Sequence, residues 1–282
     1  MTADSQQPYR ILACLAHPDD EAFGMGGTLA LLASEGCEVT LVCATLGEAG
    51  IVPEGYLKPG ETVAELRKRE LDCSVKTLGI HHLKLLGYRD SGMAGWDANN
   101  HPQALIAQPL EDVTERIIAA MREAKPDVVI TFDPIGGYRH PDHIHTHQAT
   151  VKAFEYLQQH EPETAPKRLY FHLMPAGFLK AGILTLRLQG KDPRHYGDRG
   201  DIDLVDIANQ GFPVHARVNY RKVADRQFNA SRCHASQGGD SRGSGFQGFL
   251  VKLLSRPIDT FMQAYPQPNE GVLRHSLIEG LS

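Results

Sequence analysis

The sequence predicts an α/β protein: a Rossmann-like, mostly parallel sheet with helices on both faces and a C-terminal elaboration. Two observations carry that expectation. Through the first 175 positions, short apolar runs rich in β-branched residues alternate with helical stretches of ten or more residues, the pattern of βαβ units. Dense polar clusters also follow two of these runs directly, at the strand ends where open parallel sheets bind ligands.

Taken in order, residues 11–16 form an apolar strand ending in His17-Pro18-Asp19-Asp20-Glu21. A helical segment over 23–35 is closed by Gly36, and a β-branched strand covers 38–45. An amphipathic helix spans 61–78 and stops at Gly79, and residues 82–86 read as a third strand. A helix over 110–124 ends before Pro126, the strand 127–132 follows, and a helix runs over 141–159 to a strand at 168–173. Beyond this the pattern thins. Residues 191–201 are a charged, turn-rich insertion, 214–220 alternate like a strand, and 221–235 read as a helix. A Gly/Ser-rich flexible loop over 237–245 precedes a final apolar segment. With no clear linker, residues 1–282 are expected to form one domain, with a core over 1–175 and an elaboration over 176–282.

Composition excludes several classes of function. At 282 residues the chain is long enough to bury a core without disulfides. A net charge of −5 gives no electrostatic footprint for nucleic acid or an anionic membrane. The longest strongly apolar uncharged run, between Glu21 and Glu35, has 13 residues, short of the roughly 20 that a membrane helix needs. The five cysteines form no CxxC pair. Their odd number, with no secretory leader in the opening residues, implies a reducing cytoplasm and unpaired thiols. Fourteen histidines are the unusual count, so a metal here is expected on imidazole and carboxylate rather than thiolate.

The two polar clusters are Ala16-His17-Pro18-Asp19-Asp20-Glu21 and Gly136-Gly137-Tyr138-Arg139-His140-Pro141-Asp142-His143-Ile144-His145-Thr146-His147. Catalytic zinc takes three protein ligands and a water, and two histidines with one carboxylate suffice. A spare carboxylate could take a proton from that water, and a further imidazole could stabilise an oxyanion and protonate a leaving amine. Pro141 fits the first position of a helix and sets His140 and His143 about one turn apart. His143 and His147 also share a face, and spacing alone does not choose between them.

Competing readings of the same residues are bland. Asp19 and Asp20 could cap a helix, and Asp142 suits a helix N-terminus without any catalytic role. His145 and His147 read as supporting or solvated helix residues, Glu48 as a loop residue, and Asp133 as a turn residue or a partner of a functional histidine. Arg67 sits among Glu65, Lys68, Arg69 and Glu70, where helical ion pairing suffices, and Asp90 suits a turn. Gly24-Met25-Gly26-Gly27 fails as a dinucleotide fingerprint because its third small position is Leu29. His234 and Ser236 have no G-x-S-x-G elbow to serve.

The two clusters together resemble the LmbE-like/PIG-L superfamily of zinc-dependent N-deacetylases. Thr45-Leu46-Gly47-Glu48, Arg67-Lys68-Arg69-Glu70-Leu71, Tyr88-Arg89-Asp90-Ser91-Gly92-Met93-Ala94-Gly95 and Phe132-Asp133-Pro134-Ile135-Gly136-Gly137-Tyr138 extend the match. In motif it is most similar to the mycothiol- and bacillithiol-pathway N-acetylglucosaminyl deacetylases, and His234-Ala235-Ser236-Gln237 resembles a C-terminal element of the family. The resemblance implies Zn2+ on His17, Asp20 and His143, Asp19 as general base, and His140 as oxyanion stabiliser and general acid. It also implies Asp142 tuning His140, Tyr138 assisting the intermediate, and Arg67 and Asp90 gripping the sugar. Ferrous iron would use the same ligands. Arg139 departs from the small residue of close relatives, and the loop after Glu48 is no obvious match.

The implied protein is a cytoplasmic hydrolase releasing acetate from a small acetylated amino-sugar conjugate in low-molecular-weight thiol biosynthesis. It would need no nucleic acid or membrane partner, and a homo-oligomer is compatible with the sequence. The alternatives are a thiol S-conjugate amidase with the same zinc chemistry and a nonhydrolytic metal- or ligand-binding protein.

Overall fold

A computed structural model describes residues 7–197, 199–239 and 257–281. Its centre is a seven-stranded sheet of order β3-β2-β1-β4-β5-β7-β6. The strands are β1 (Arg10–Leu15), β2 (Glu38–Cys43), β3 (His82–Leu85), β4 (Val128–Phe132), β5 (Arg168–Leu173), β6 (Ala216–Asn219) and β7 (Ile258–Tyr265). β1 to β5 run parallel, while β7 is antiparallel to both β5 and β6.

Successive strand residues point to opposite faces, and β1 divides its side chains accordingly. Ile11, Ala13 and Leu15 join one buried cluster, Leu12 and Cys14 the other. The first is covered by α2 (Gly26–Ser34), α3 (Val63–Leu78) and α9 (Ala224–Cys233), through Leu29, Leu71 and Ala230. The second is covered by α4 (Leu110–Ala124) and α6 (Pro141–His160), through Val113, Ile117, Ala153 and Phe154. The sheet is therefore buried on both faces, as the apolar runs imply.

Local chemistry sets the helix ends. Thr62 caps α3: its hydroxyl accepts from the Glu65 amide at 3.2 Å while the Glu65 carboxylate accepts from the Thr62 amide at 2.8 Å. The segment expected as one helix over 23–35 is two, α1 (Asp20–Phe23) and α2, broken at Gly24-Met25. A side chain at Gly27 would lie 2.2 Å from the Tyr220 ring, so helix packing accounts for that glycine.

The C-terminal part departs most from expectation. Helices α7 (Ala176–Leu188) and α8 (Leu204–Ala208) form where no element was expected, and β6 and β7 extend the core sheet. Residues 240–245 of the expected loop, and the apolar segment after it, lie outside the described residues. The cysteine expectation is corrected as well. Cys73 on α3 and Cys233 at the end of α9 form a disulfide across 160 residues, and Cys14, Cys37 and Cys43 are free and buried. No CxxC spacing announces a pair made by two packed helices. Among the described residues, no helix is long and apolar enough to cross a membrane.

Candidate active site

β1 and β4 are neighbours and parallel, so the segments leaving their C-terminal ends meet above the sheet. After β1 the chain folds back on itself: Asp20 Oδ2 accepts from the amides of Ala16 (3.2 Å) and His17 (2.7 Å). Asp19, between them, has φ 112°, ψ −30°, a conformation that L-residues rarely adopt. After β4, Asp133 Oδ1 accepts from the amides of Ile135 and Gly137, shaping the turn into the short α5 (Gly136–Arg139). α6 then begins at Pro141 with His140 as its cap, the His140 Nδ1 accepting the Asp142 amide at 3.2 Å.

Three ligand-type side chains converge at this junction. His17 Nδ1 lies 3.1 Å from His143 Nε2, and Asp20 Oδ1 lies 3.3 Å from His143 Nε2. Asp20 Oδ2 is 3.7 Å from His17 Nδ1. The outer nitrogens of both rings are engaged elsewhere. His143 Nδ1 is 3.1 Å from the Gly136 carbonyl, which requires a proton there, and His17 Nε2 is 3.1 Å from Asp142 and 3.3 Å from Asp90. The inner nitrogens, His17 Nδ1 and His143 Nε2, are thereby aimed at one point beside Asp20, and carbonyl or carboxylate partners behind ligating histidines are how metal sites orient their rings. The donor set thus fits a first-row metal. His147 takes no part: its Nδ1 is 2.8 Å from the Phe132 carbonyl and its ring packs against Phe171. The structure therefore brings His143 into the site and leaves His147 beneath it.

The other expected residues surround this point. Asp19 Oδ2 accepts from Arg67 Nη2 at 2.9 Å. Burial raises the Asp19 pKa to about 6, with the Arg67 charge opposing. Burial also works against ionised Asp20, but His143 and His17 outweigh it and lower its pKa. For His17, burial is outweighed by Asp90 and Asp142, and its basicity is raised well above the usual imidazole value. His140 goes the other way, pushed well down by burial and then by the neighbouring His17 and His143. Burial raises the Tyr138 phenol, whose ring meets those of His143 and His140 edge-on.

Two residues sit differently from expectation. The Asp142 carboxylate lies against His17 Nε2 and the Ser91 amide (2.9 Å), and only the Asp142 backbone amide reaches His140. The buried Asp90 engages His17, with Oδ1 also accepting from the Gly92 amide and Oδ2 from Ala49. The buried Arg67 is directed at the Gly47 and Pro18 carbonyls as well as at Asp19. Gly47, at φ 66°, leaves the room that guanidinium occupies; a side chain there would meet it at 1.9 Å.

Of these groups, His17, Asp19, Arg67, Asp90, Tyr138 and His140 line a cleft of about 230 Å³. Its outer wall holds residues the sequence did not single out for a substrate role: Met93, Gly197, Asp201, Ile202 and Gln237. The charged insertion supplies two of them, with Ile202 next in the chain, and is pinned at Trp96, whose Nε1 donates to Asp201 while Arg199 covers its ring. That insertion breaks the βαβ rhythm of the core, the one sequence signal that could have marked it. A roomier surface groove over α4 and α6 is lined by Glu111, Arg122 and Lys152, which are paired with neighbouring side chains.

Comparison with known proteins gives the family and the fold. The family model described as "PIG-L: GlcNAc-PI de-N-acetylase" matches residues 12–154, the stretch holding both strand-end clusters. A 1D-myo-inositol 2-acetamido-2-deoxy-alpha-D-glucopyranoside deacetylase of Acidothermus cellulolyticus is 36% identical over 236 residues, covering 80% of this chain and 79% of the relative. Among solved structures, the N,N'-diacetylchitobiose deacetylase of Pyrococcus horikoshii superposes with TM-score 0.58 at 22% identity, covering 92% of this chain and 86% of the other. The 4-carboxy-2-hydroxymuconate hydratase GalB of Pseudomonas putida KT2440 superposes with TM-score 0.59 at 16% identity, covering 94% and 100%. At those identities the two structures establish the α/β fold alone, and their different reactions mean that the site must carry the functional argument.

Proposed function

Since the chain belongs to the PIG-L family, we propose that this N-deacetylase hydrolyses the acetamide of an N-acetylglucosaminyl conjugate. Its relatives' names point first to 1D-myo-inositol 2-acetamido-2-deoxy-α-D-glucopyranoside, a step suited to building a low-molecular-weight thiol in the cytoplasm. The observation that carries the reading is the meeting of His17 Nδ1, His143 Nε2 and the Asp20 carboxylate, with the Arg67-paired carboxylate of Asp19 beside His17 in the lining of the cleft.

His17, Asp20 and His143 would hold Zn2+, or ferrous iron on the same donors. When bound, the metal supplies Lewis acidity, lowering the pKa of a water and polarising an amide carbonyl. Asp19 takes the proton from the attacking water, a task suited to a carboxylate whose pKa stands near 6. Because His140 Nδ1 accepts the Asp142 amide and burial disfavours the imidazolium, His140 starts neutral with its proton on Nε2. From there it donates a hydrogen bond to the carbonyl oxygen as that oxygen becomes an oxyanion, with the Tyr138 hydroxyl as a second donor. The C–N bond then breaks. The amine takes the proton Asp19 has accepted, leaving acetate and the free amino sugar. A neutral His140 shifts the general-acid role expected of it to Asp19. Arg67 and Asp90 contact the sugar only with groups left over from their bonds to Asp19, Gly47, His17, Ala49 and Gly92.

Two substitutions test the reading together. Asp19→Asn should retain metal and lose about 10²- to 10⁴-fold in kcat, the usual worth of a general base. His17→Ala should lose the metal itself. Wild-type turnover in Asp19→Asn would remove the base assignment.

A further inference from the structure

Asp19 stands in a left-handed backbone conformation that persists only where its surroundings impose it. Two of its three anchors are its carbonyl, which accepts from the amides of Ala22 (3.0 Å) and Phe23 (2.9 Å), and its carboxylate, which takes Arg67 of α3. The third is its own amide, which donates to Glu21 Oε2 at 3.0 Å. A glutamate two residues further on has rotamer freedom, yet Glu21 has none of its surface exposed, and its other oxygen lies 2.6 Å from His234 Nε2, 213 residues away.

His234 is itself fixed. It follows the Cys73–Cys233 disulfide at the end of α9, and its carbonyl accepts from the amides of Gln237 and Gly239. Two residues on, Ser236 is tied to Glu70 of α3 through its amide (2.9 Å) and hydroxyl (2.7 Å). The far segment thereby presents one ring nitrogen to Glu21, and Glu21 passes that constraint to the Asp19 amide. Neither Glu21 nor His234 is among the groups lining the cleft.

We propose that Glu21 and His234 are positioning residues: the His234–Glu21 contact locks the left-handed backbone of Asp19 and thereby aims its carboxylate at the attacking water. The inference rests on Asp19 being the general base. A misplacement on the order of 1 Å costs about 10²-fold in rate, so the effect falls on kcat rather than on substrate binding.

The test compares two amides at one position. In His234→Gln the amide nitrogen can stand where Nε2 stands and donate to Glu21; in His234→Asn it falls one methylene short. Both are measured, metal-loaded and below their melting transitions, on 1D-myo-inositol 2-acetamido-2-deoxy-α-D-glucopyranoside, alone and combined with Asp19→Asn. The expected result is a kcat loss on the order of 10²-fold for His234→Asn, at unchanged KM and metal content, with at least about tenfold recovered in His234→Gln. In the Asp19→Asn background His234→Asn should have little further effect, because two residues acting through one group are not additive. Equal activity of the two amide variants, or the same fold-loss in both backgrounds, overturns the inference. Wild-type activity in Asp19→Asn alone instead overturns the base assignment, so the two failures are distinct. If His234→Asn does not fold, Glu21→Met takes its place. Methionine keeps the length of the side chain but neither accepts from the Asp19 amide nor meets His234, so the same kcat loss and the same non-additivity are expected, and wild-type kcat would overturn the proposal.

Discussion

Replacing Arg67 by methionine separates two roles that its position allows. Methionine keeps most of the side-chain length but removes the charge that faces Asp19, the Pro18 carbonyl and the Gly47 carbonyl inside a buried setting. Breaking a buried pair by deleting one partner costs about 3–5 kcal/mol, an upper bound for Asp19, whose side chain is 20% exposed. With an unfolding entropy of about 2.1 cal/mol/K per residue, this 282-residue chain loses at most roughly 5–8 °C in Tm. The Arg67 charge also opposes the upward push of burial on Asp19. Without it, Asp19 binds its proton more tightly, and the acid limb of the pH–rate profile moves to higher pH. The assays are thermal unfolding, and kcat and KM for acetate release across pH. An unchanged Tm and acid limb with only KM raised would refute the reasoning and make Arg67 a substrate ligand alone.

Three further outcomes follow from the packing and the charges. His143→Ala should abolish metal binding while His147→Ala retains it, because only His143 shares the convergence with His17 and Asp20; metal analysis of the two purified variants decides it. Reducing Cys73–Cys233 should release two thiols to labelling and lower stability by up to about 5 kcal/mol, the loop-closure value for a 160-residue loop. An unshifted denaturant midpoint after complete reduction would contradict that. Burial pushes Asp259 up from 3.8 to about 7 against two hydrogen bonds from Thr28. A raised folded-state pKa gives stability that is complete below about pH 4 and is lost as pH rises through about 7, at no more than about 1.4 kcal/mol per pH unit. Asp259→Asn should flatten that part of the stability curve, and an identical curve would remove the assignment.

The parallel half of the fold is legible because each of its elements carries its own signal. The β2 and β4 runs are rich in β-branched residues, α3 has both Thr62 and Gly79 to bound it, and Pro141 starts α6. α7 has no side-chain cap at its start, and β7 is antiparallel to a strand nearly a hundred residues earlier, so neither is marked locally. The site divides the same way. His17, Asp19, Asp20, His140 and His143 lie in two short clusters at the ends of adjacent strands, where chemistry and topology coincide. The Cys73–Cys233 bond and the Glu21–His234 contact join residues 160 and 213 positions apart, through helix packing that no spacing encodes. Asp142 illustrates a finer limit. Its place beside His140 in sequence suggests that partner, yet the first turn of α6 carries its carboxylate to His17.

The central claim is that two histidines and an aspartate hold a metal with which Asp19 hydrolyses an acetamide. Its most direct test is acetate release from 1D-myo-inositol 2-acetamido-2-deoxy-α-D-glucopyranoside by protein of known metal content, followed through chelation and re-addition of Zn2+ or Fe2+. The account predicts release in proportion to bound metal, abolished by the chelator and restored by the ion. Undiminished release from metal-free protein, or none from fully loaded protein, would contradict it.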